Sequence, residues 1–214
     1  KHISNAIVFY HEPYASSAAE LVTELVQYIS EKALSRVEAE ALLAGIMLDT
    51  KNFVLKTGVR TFEAAAYLRR RGADTVEVKR LFSNTIDTYK AKYQMVSSAE
   101  IYNNCAIVSA DEETPDIRVA AAQAADELLS IQGVNASFVI YPTPGGVQIS
   151  ARSLGDVNVQ VIMEVMGGGG HLTMAAVQLK NTTLQQARDT LISVINNNLA
   201  KASKPSLPAQ GGAK

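Results

Sequence analysis

The sequence predicts an α/β protein in two parts, a mostly helical part over residues 1–100 and a compact domain of interleaved strands and helices over residues 101–200. In the first part, apolar residues recur with the 3.6-residue period of amphipathic helices. In the second part, short apolar runs bounded by turn residues alternate with helical segments, which is typical of an α/β domain. Residues 201–214, rich in proline and glycine, are predicted to be a disordered tail or linker.

Two serine–glutamate pairs predict where the first two helices begin. Ser17 and Glu20 precede apolar residues in the range 21–29, and Ser35 and Glu38 repeat this spacing before a second apolar stripe. In such a capping box, the serine oxygen accepts a hydrogen bond from the backbone N–H of the third helical residue, and the glutamate carboxylate accepts one from the serine N–H. Both helices are therefore expected to begin next to these serines.

The rest of the first part is predicted to hold two more helices and a single strand. After a loop at 49–58, a third helix runs from Thr61 to near Gly72, because glycine suits the residue after a helix end. A fourth helix spans 75–89, and residues 6–10 form the strand candidate. One strand makes no sheet, and amphipathic helices need a partner for their apolar faces, so part of this domain's core is expected to be missing.

The second part is predicted to contain four strands and three helices. A turn around Pro142 and Gly145 joins the two central strands into a hairpin. The predicted strands are 105–110, 136–143, 146–153 and 173–179, and the predicted helices are 116–131, 157–166 and 183–199.

The composition excludes several classes of protein. The 214 residues include 20 basic and 21 acidic side chains, a formal net charge of −1, which argues against a protein whose main work is to grip duplex nucleic acid. The single cysteine, Cys105, rules out a disulfide framework or a Cys-rich zinc site within the chain and is typical of a reducing, cytoplasmic compartment. No stretch is apolar enough over about 20 residues to predict a membrane-spanning helix.

The run Gly167-Gly168-Gly169-Gly170, followed by His171, is the most informative local feature. Glycine lets a backbone come close to a ligand and lets successive N–H groups converge on an anion. The histidine could donate to a phosphate oxygen or pack against a base. The run is not a P-loop, because no Lys-Ser or Lys-Thr pair follows it. The competing interpretation is a flexible turn between a helix and a strand.

Arg152 lies near the end of a predicted strand, beside the hydroxyl of Ser153. Strand alternation places Ile149 and Ala151 on one face and Ser150 and Arg152 on the other. An arginine next to a hydroxyl at a strand end suits bidentate contact with a phosphate. The competing interpretation is a solvated cation on an exposed sheet face, and phosphate binding requires that Arg152 and the glycine run face the same cleft.

Asp49 follows an apolar helix and begins a polar loop. A carboxylate at such a place could bind a hard cation such as Mn²⁺ or Mg²⁺, or it could cap the local backbone. The chain has three widely separated histidines and no Asp-x-Asp pair, so we do not expect it to supply a two-metal site alone. Ser16 and Ser17 are explained by helix capping, although their position at a helix start also suits contact with a phosphate.

Several stretches resemble two companion domains of one enzyme superfamily. Those similar to the DHH phosphoesterase domain are residues 12–17, 20–25, 45–53 and 60–65, and those similar to the DHHA1 domain are residues 149–155 and 167–171. With both sets in order over residues 3–198, the chain resembles the C-terminal catalytic region of cyclic-di-AMP phosphodiesterases of the GdpP/YybT type. The Asp-x-Asp and Asp-His-His motifs of that family are absent from it.

This resemblance implies a fold and an activity. The first part would be the C-terminal piece of a DHH domain whose parallel sheet is incomplete here, together with a connecting helix, and the second part would be a mixed-sheet DHHA1 domain. Members of the family hold two Mn²⁺ ions and hydrolyse cyclic-di-AMP to the linear dinucleotide pApA. The resemblance also implies a parent protein anchored in the cell membrane, with this region in the cytoplasm, and it leaves a homodimer open.

The resemblance also assigns roles to residues. It makes Asp49 a manganese ligand and places Arg152, Ser153 and the run Gly167–His171 on the surface that binds a cyclic or linear dinucleotide. A metal-bound water is the nucleophile, so the chain itself supplies no assigned catalytic side chain. Because Asp49 alone cannot hold two metals, we expect the isolated chain to be inactive. Two alternatives stay open: a phosphoesterase that degrades oligonucleotides or pApA, and a non-catalytic nucleotide-binding module.

Overall fold

The computed structural model describes residues 5–29, 34–111 and 116–202, so the predicted tail lies outside the described residues from residue 203 onward. The chain forms two compact units, Lys1–Ser83 and Asn84–Lys214. Within the described ranges, no helix is both long enough and apolar enough to cross a membrane.

The described part of the first unit is helical, with α1 (Ala18–Ile29), α2 (Arg36–Asp49), α3 (Val59–Arg70) and α4 (Thr75–Leu81). Its core forms where α2, α3 and α4 bring small and branched apolar side chains together. The fully or almost fully buried members are Ala39, Leu43, Ile46, Ala64, Tyr67, Leu68, Ala73 and Val78.

Local sequence signals account for the helix ends in this unit. The capping box of α2 is confirmed: Ser35 Oγ accepts from the Glu38 N–H at 3.4 Å, and the Glu38 carboxylate accepts from the Ser35 N–H at 2.8 Å. Only half of the first box forms, since Ser17 Oγ accepts from the Glu20 N–H at 3.1 Å while Ser16 Oγ donates to the Glu20 carboxylate. Gly72 follows α3 with φ of +95°, the left-handed conformation expected there.

Two predictions for this half of the chain are wrong. Residues 6–10 form no strand, and the described part of this unit contains no other strand to pair with them. The fourth helix is also not continuous, because α4 ends at Leu81 and a separate helix α5 (Ile86–Ser97) begins after Thr85. Thr85 Oγ1 accepts from the Thr88 N–H at 3.2 Å, so a cap interrupts the pattern that had suggested one helix.

The second unit is an α/β domain built on one mixed sheet, which confirms the predicted fold class. After α5, the elements are β1 (Glu100–Tyr102), β2 (Cys105–Ser109), α6 (Ile117–Leu128), β3 (Ala136–Thr143), β4 (Gly146–Ser153), α7 (Val159–Val165), β5 (Gly169–His171), β6 (Met174–Lys180) and α8 (Leu184–Ala202). The strand order is β1-β2-β3-β4-β6-β5, and the β2–β3 pair is parallel whereas the other pairs are antiparallel. The helix α5, which the sequence groups with the first part, packs against α6 in this unit.

The two faces of the sheet are covered differently. On one face, Phe138, Ile140 and Ile149 pack under α7 and α8. On the other face, α6 covers β3 and β4, and its alanines at 120, 121, 124 and 125 are fully buried. Small side chains allow this helix to lie close to the strands. Farther along the same face, His171, Met174 and Gln178 on β5 and β6 are exposed.

Candidate functional site

The strand register places Arg152 and the glycine run on the same face of the sheet. Arg152 on β4 pairs with Met174 on β6, and Met174 in turn pairs with His171 on β5. Ser150, Ala176 and Gly169 form the adjacent row in the same way. Directly opposed residues in antiparallel strands point to the same side, so both rows lie on the face that α6 covers in part. Arg152 and the glycine run therefore share one face of the sheet.

The glycine run comprises a turn and the start of the edge strand β5. The fold requires glycine at three of its four positions. A Cβ on Gly168 would lie 2.2 Å from the carbonyl oxygen of Ala176, and one on Gly170 would lie 2.4 Å from the Cα of Ala175. Gly167 turns the chain out of α7 with φ of +87°. These three glycines are therefore explained by close backbone packing and turn geometry.

Gly169 differs from its three neighbours. A Cβ at this position would meet no atom within 4 Å, and its φ lies outside the left-handed region. It lies beside exposed His171 and in the row that also holds Ser150. The packing of this unit gives no reason for a glycine here, and the open space above Gly169 is available to a ligand.

Arg152 is not a solvated cation, since only 9% of the residue is exposed. Its Nε lies 3.2 Å from Oδ1 of Asp126 on α6, and its Nη1 donates to the carbonyl oxygen of Ala151 at 2.9 Å. The contact with Asp126 is an ion pair without hydrogen-bond geometry. The Arg152 Nε is therefore a buried donor that lacks a hydrogen-bond partner. Sequence reasoning missed Asp126, for which the one signal was an acidic residue beside the alanine-rich face of α6.

Tyr141 adds a second buried polar group on this face. The residue is 1% exposed, and its hydroxyl has no hydrogen-bond partner. Burial raises the pKa of the Tyr141 hydroxyl, while the nearby Ser150 hydroxyl and the positive charges of Arg118 and Arg152 act to lower that pKa. Two cations, Arg118 and Arg152, thus act on this buried hydroxyl.

Ser153 supports the shape of the site from within. Its Oγ donates to the carbonyl oxygen of Val157 at 2.6 Å and accepts from the N–H of Gly155 at 3.1 Å. The residue is 1% exposed. In this structure, Ser153 closes the turn between β4 and α7, and its hydroxyl does not face solvent.

In the first unit, Asp49 is the last residue of α2 and is exposed. The following Lys51, Asn52 and Phe53 have φ of +50°, +57° and +64°, an unusual run of left-handed residues. Thr50 holds this turn together, since its Oγ1 donates to the Ile46 carbonyl at 2.7 Å and accepts from the Phe53 N–H at 2.9 Å. The Asp49 carboxylate is therefore attached to a well-defined turn.

The residues that the structure describes do not form a metal centre by themselves. No group of three or more histidine, cysteine, aspartate or glutamate side chains in the described ranges could hold a metal ion. Ser16 and Ser17 are both buried, and their hydroxyls are engaged with Glu20 at the start of α1. Asp49 thus offers one carboxylate, which is fewer ligands than a two-metal site needs.

Arg60 connects three of the sequence stretches that resemble a DHH domain. Its Nε and Nη2 donate to the two carboxylate oxygens of Glu24 at 2.8 and 2.7 Å, and its Nη1 lies 3.4 Å from Glu12. The hydrogen bonds to the Glu24 carboxylate are the main cause that raises the pKa of the exposed Arg60 guanidinium. Arg60 therefore has a structural role in holding the start of α3 against α1.

Comparison with known proteins gives the fold and the site a family context. Residues 103–201 match the model of the DHHA1 domain. The chain is 51% identical over 197 residues to the cyclic-di-AMP phosphodiesterase PdeA of Listeria monocytogenes and 48% identical over 199 residues to the cyclic-di-AMP phosphodiesterase GdpP of Bacillus subtilis. Each alignment covers 91% of this chain and 30% of the relative, so the chain spans about a third of the length of these relatives.

A solved structure also supports the fold. An exopolyphosphatase-related protein from Bacteroides fragilis matches with a TM-score of 0.80 at 21% identity, covering 93% of this chain and 60% of that protein. Residues 103–201 are therefore similar to the DHHA1 domain, and the chain as a whole is similar to a segment of the cyclic-di-AMP phosphodiesterases.

Proposed function

We propose that this chain is the nucleotide-binding part of a manganese-dependent phosphodiesterase that hydrolyses cyclic-di-AMP to pApA. The identity of about one half to cyclic-di-AMP phosphodiesterases supports the substrate class. The activity is proposed for a longer protein, because the chain corresponds to 30% of those relatives.

The observation that carries the proposal is the shared face of Gly169, His171 and Arg152. Arg152 and His171 are two strands apart, about 10 Å between backbones, so a single ligand of nucleotide size reaches both. Gly169 leaves room for a base or sugar against the backbone, His171 is exposed for donation or stacking, and the Arg152 guanidinium supplies charge for a phosphate. The chain's own residues thus bind and orient the substrate.

Metal chemistry is part of the proposal but not of this chain's own mechanism. Two Mn²⁺ ions would neutralise charge on the attacked phosphate. The described residues do not fit a two-metal site, since Asp49 is a single carboxylate without a partner cluster. We therefore propose Asp49 as one ligand only and expect no turnover of cyclic-di-AMP by the isolated chain in the presence of Mn²⁺.

Calorimetric titration of the chain with pApA tests the proposal. We expect binding by the wild type, and a loss of affinity of tenfold or more, about 1.4 kcal/mol, in His171→Ala and Arg152→Lys, because lysine cannot make the bidentate contact. Arg188→Lys is the matched control, since Arg188 pairs with Glu100 at 2.6 Å and lies outside the two rows. Absence of pApA binding by the folded wild type would contradict the binding role, and Mn²⁺-dependent turnover would contradict the proposed inactivity.

A second candidate is a phosphoesterase that acts on short oligonucleotides. It is favoured by 26% identity over 197 residues to the bifunctional oligoribonuclease and PAP phosphatase NrnA of Thermus thermophilus. Competition between cyclic-di-AMP and pApA for the chain separates the two, because a site shaped for the cyclic substrate should prefer it over the linear dinucleotide.

A further inference from the structure

The last turn of α6 is fixed directly over Arg152. Ser137 on β3 pairs with Arg152 on β4, and the buried Ser137 Oγ donates to the carbonyl oxygen of Ala125 at 2.5 Å. This bond ties α6 to the strand position next to Arg152. Asp126 follows Ala125 in the chain, so the same contact places its carboxylate beside the guanidinium, with 3.2 Å between Oδ1 and Nε.

The Arg152 guanidinium is neutralised but poorly hydrogen-bonded. Arginine has five N–H donors, and here Nη1 donates to the Ala151 carbonyl while the Nε contact with Asp126 lacks hydrogen-bond geometry. The side chain of Arg152 is 11% exposed and that of Asp126 is 30% exposed, so the carboxylate lies on the more open side of the pair. A buried charge of this kind needs a counter-ion, and Asp126 provides it.

We propose that Asp126 is an internal counter-ion that competes with the phosphate of a ligand for Arg152 and so sets the affinity of this face for anions. The inference rests on the proposed function, in which Arg152 contacts the ligand. A phosphate that reaches Arg152 also comes close to the Asp126 carboxylate, and the two negative charges repel. Asp126 is thus a residue that tunes affinity through Arg152 and does not itself bind the ligand.

Neutralising Asp126 is therefore expected to tighten anion binding. Two unit charges about 4 Å apart interact by about 1 kcal/mol even in bulk water, and more strongly near a protein surface, so Asp126→Asn should raise affinity by at least about fivefold. A residue that only holds the fold together would give the opposite result when removed, because a disturbed site binds more weakly.

The experiment compares Asp126→Asn with Glu127→Gln in the full chain. The two substitutions make the same change of charge at adjacent positions of α6, but the Glu127 carboxylate pairs with Lys92 on α5 at 3.1 Å. Binding of inorganic phosphate and of pApA is measured by calorimetry for both variants and for the wild type. We expect tighter binding of both ligands in Asp126→Asn alone, and loss of that gain when Arg152→Lys is added.

The outcomes separate the inference from the proposed function. If Asp126→Asn binds inorganic phosphate no more tightly than Glu127→Gln, the inference is overturned, whatever pApA does. If Asp126→Asn gains phosphate affinity through Arg152 but no protein variant binds pApA, the inference stands and the proposed nucleotide site fails.

A measurement on the wild type covers the case in which Asp126→Asn does not fold. Nuclear magnetic resonance of the labelled chain follows the Arg152 Nε–H and the Asp126 carboxyl carbon during titration with inorganic phosphate. Competition predicts that both signals move together with one apparent dissociation constant. Movement of the Arg152 signal without the Asp126 signal, or movement of neither, would overturn the inference.

Discussion

Adjacent glycines in the run give a sharp test, because the structure predicts opposite effects of alanine at 168 and at 169. A Cβ at Gly168 would lie 2.2 Å from the Ala176 oxygen, 1.2 Å short of the 3.4 Å at which ordinary contact begins. It would also lie 2.6 Å from the Cβ of Val177, and both contacts belong to β6, which is held by pairing with β4. Neither neighbour can move without loosening the sheet.

The expected magnitude follows from these contacts. Overpacking of this kind costs about 1–3 kcal/mol, and a chain of this size loses about 2–4 °C in Tm per kcal/mol, so Gly168→Ala should lower Tm by about 2–12 °C. Gly169→Ala should leave Tm unchanged or raise it slightly, since replacing a glycine at an ordinary φ stabilises a protein by about 0.4–1 kcal/mol by reducing the conformational entropy of the unfolded chain. Its methyl group instead fills the open space beside His171.

Differential scanning calorimetry measures the stability of the two variants, and calorimetric titration measures their affinity for pApA. We expect Gly169→Ala to be as stable as the wild type but to bind pApA at least about tenfold more weakly, or by about 1.4 kcal/mol. Gly168→Ala serves as the control for damage to the fold. Wild-type affinity in a folded Gly169→Ala variant would refute the reasoning that this open position receives the ligand, and undiminished stability of Gly168→Ala would refute the packing argument.

Two further predictions concern buried groups of the second unit. Ser153→Ala should lower the free energy of unfolding, measured by urea denaturation, by about 1–3 kcal/mol. The substitution leaves the Val157 carbonyl and the Gly155 N–H without their buried partner. A variant as stable as the wild type would show that solvent replaces these hydrogen bonds. Burial raises the pKa of the Cys105 thiol to about 11, so the folded chain at pH 8 should resist alkylation and react only in denaturant, whereas rapid labelling of the native chain would contradict its burial.

The parts of the fold that were predictable from sequence are those with strong local signals. The hairpin of β3 and β4 occupies the predicted residues 136–143 and 146–153, because alternation and a proline–glycine turn agree. The capping box at Ser35 likewise fixes the start of α2. In contrast, the sequence predicts no strand at β5, since glycine has little strand propensity and the pairing of β5 with β6 depends on tertiary structure.

The candidate site was predictable only in its residue types. Alternation indicated that Arg152 and Ile149 lie on opposite faces, and the structure bears this out. Nothing local relates Asp126 to Arg152, because the ion pair depends on how α6 packs across the sheet. Nothing local distinguishes Gly168 from Gly169 either. The two glycines differ only in their surroundings, because a Cβ at Gly168 would meet β6 whereas a Cβ at Gly169 would meet no atom within 4 Å.

The position of β5 at the rim of the sheet has a consequence for association. An edge strand presents unpaired backbone groups that can recruit another chain, and long, flat, apolar edges are the ones that aggregate. Here the rim is three residues long, two of them glycine, and β6 is its one strand neighbour in the described sheet. An edge strand this short gives a strand from another molecule few residues to pair with. The backbone of β5 can therefore stay accessible to small molecules while it remains a poor template for fibril growth.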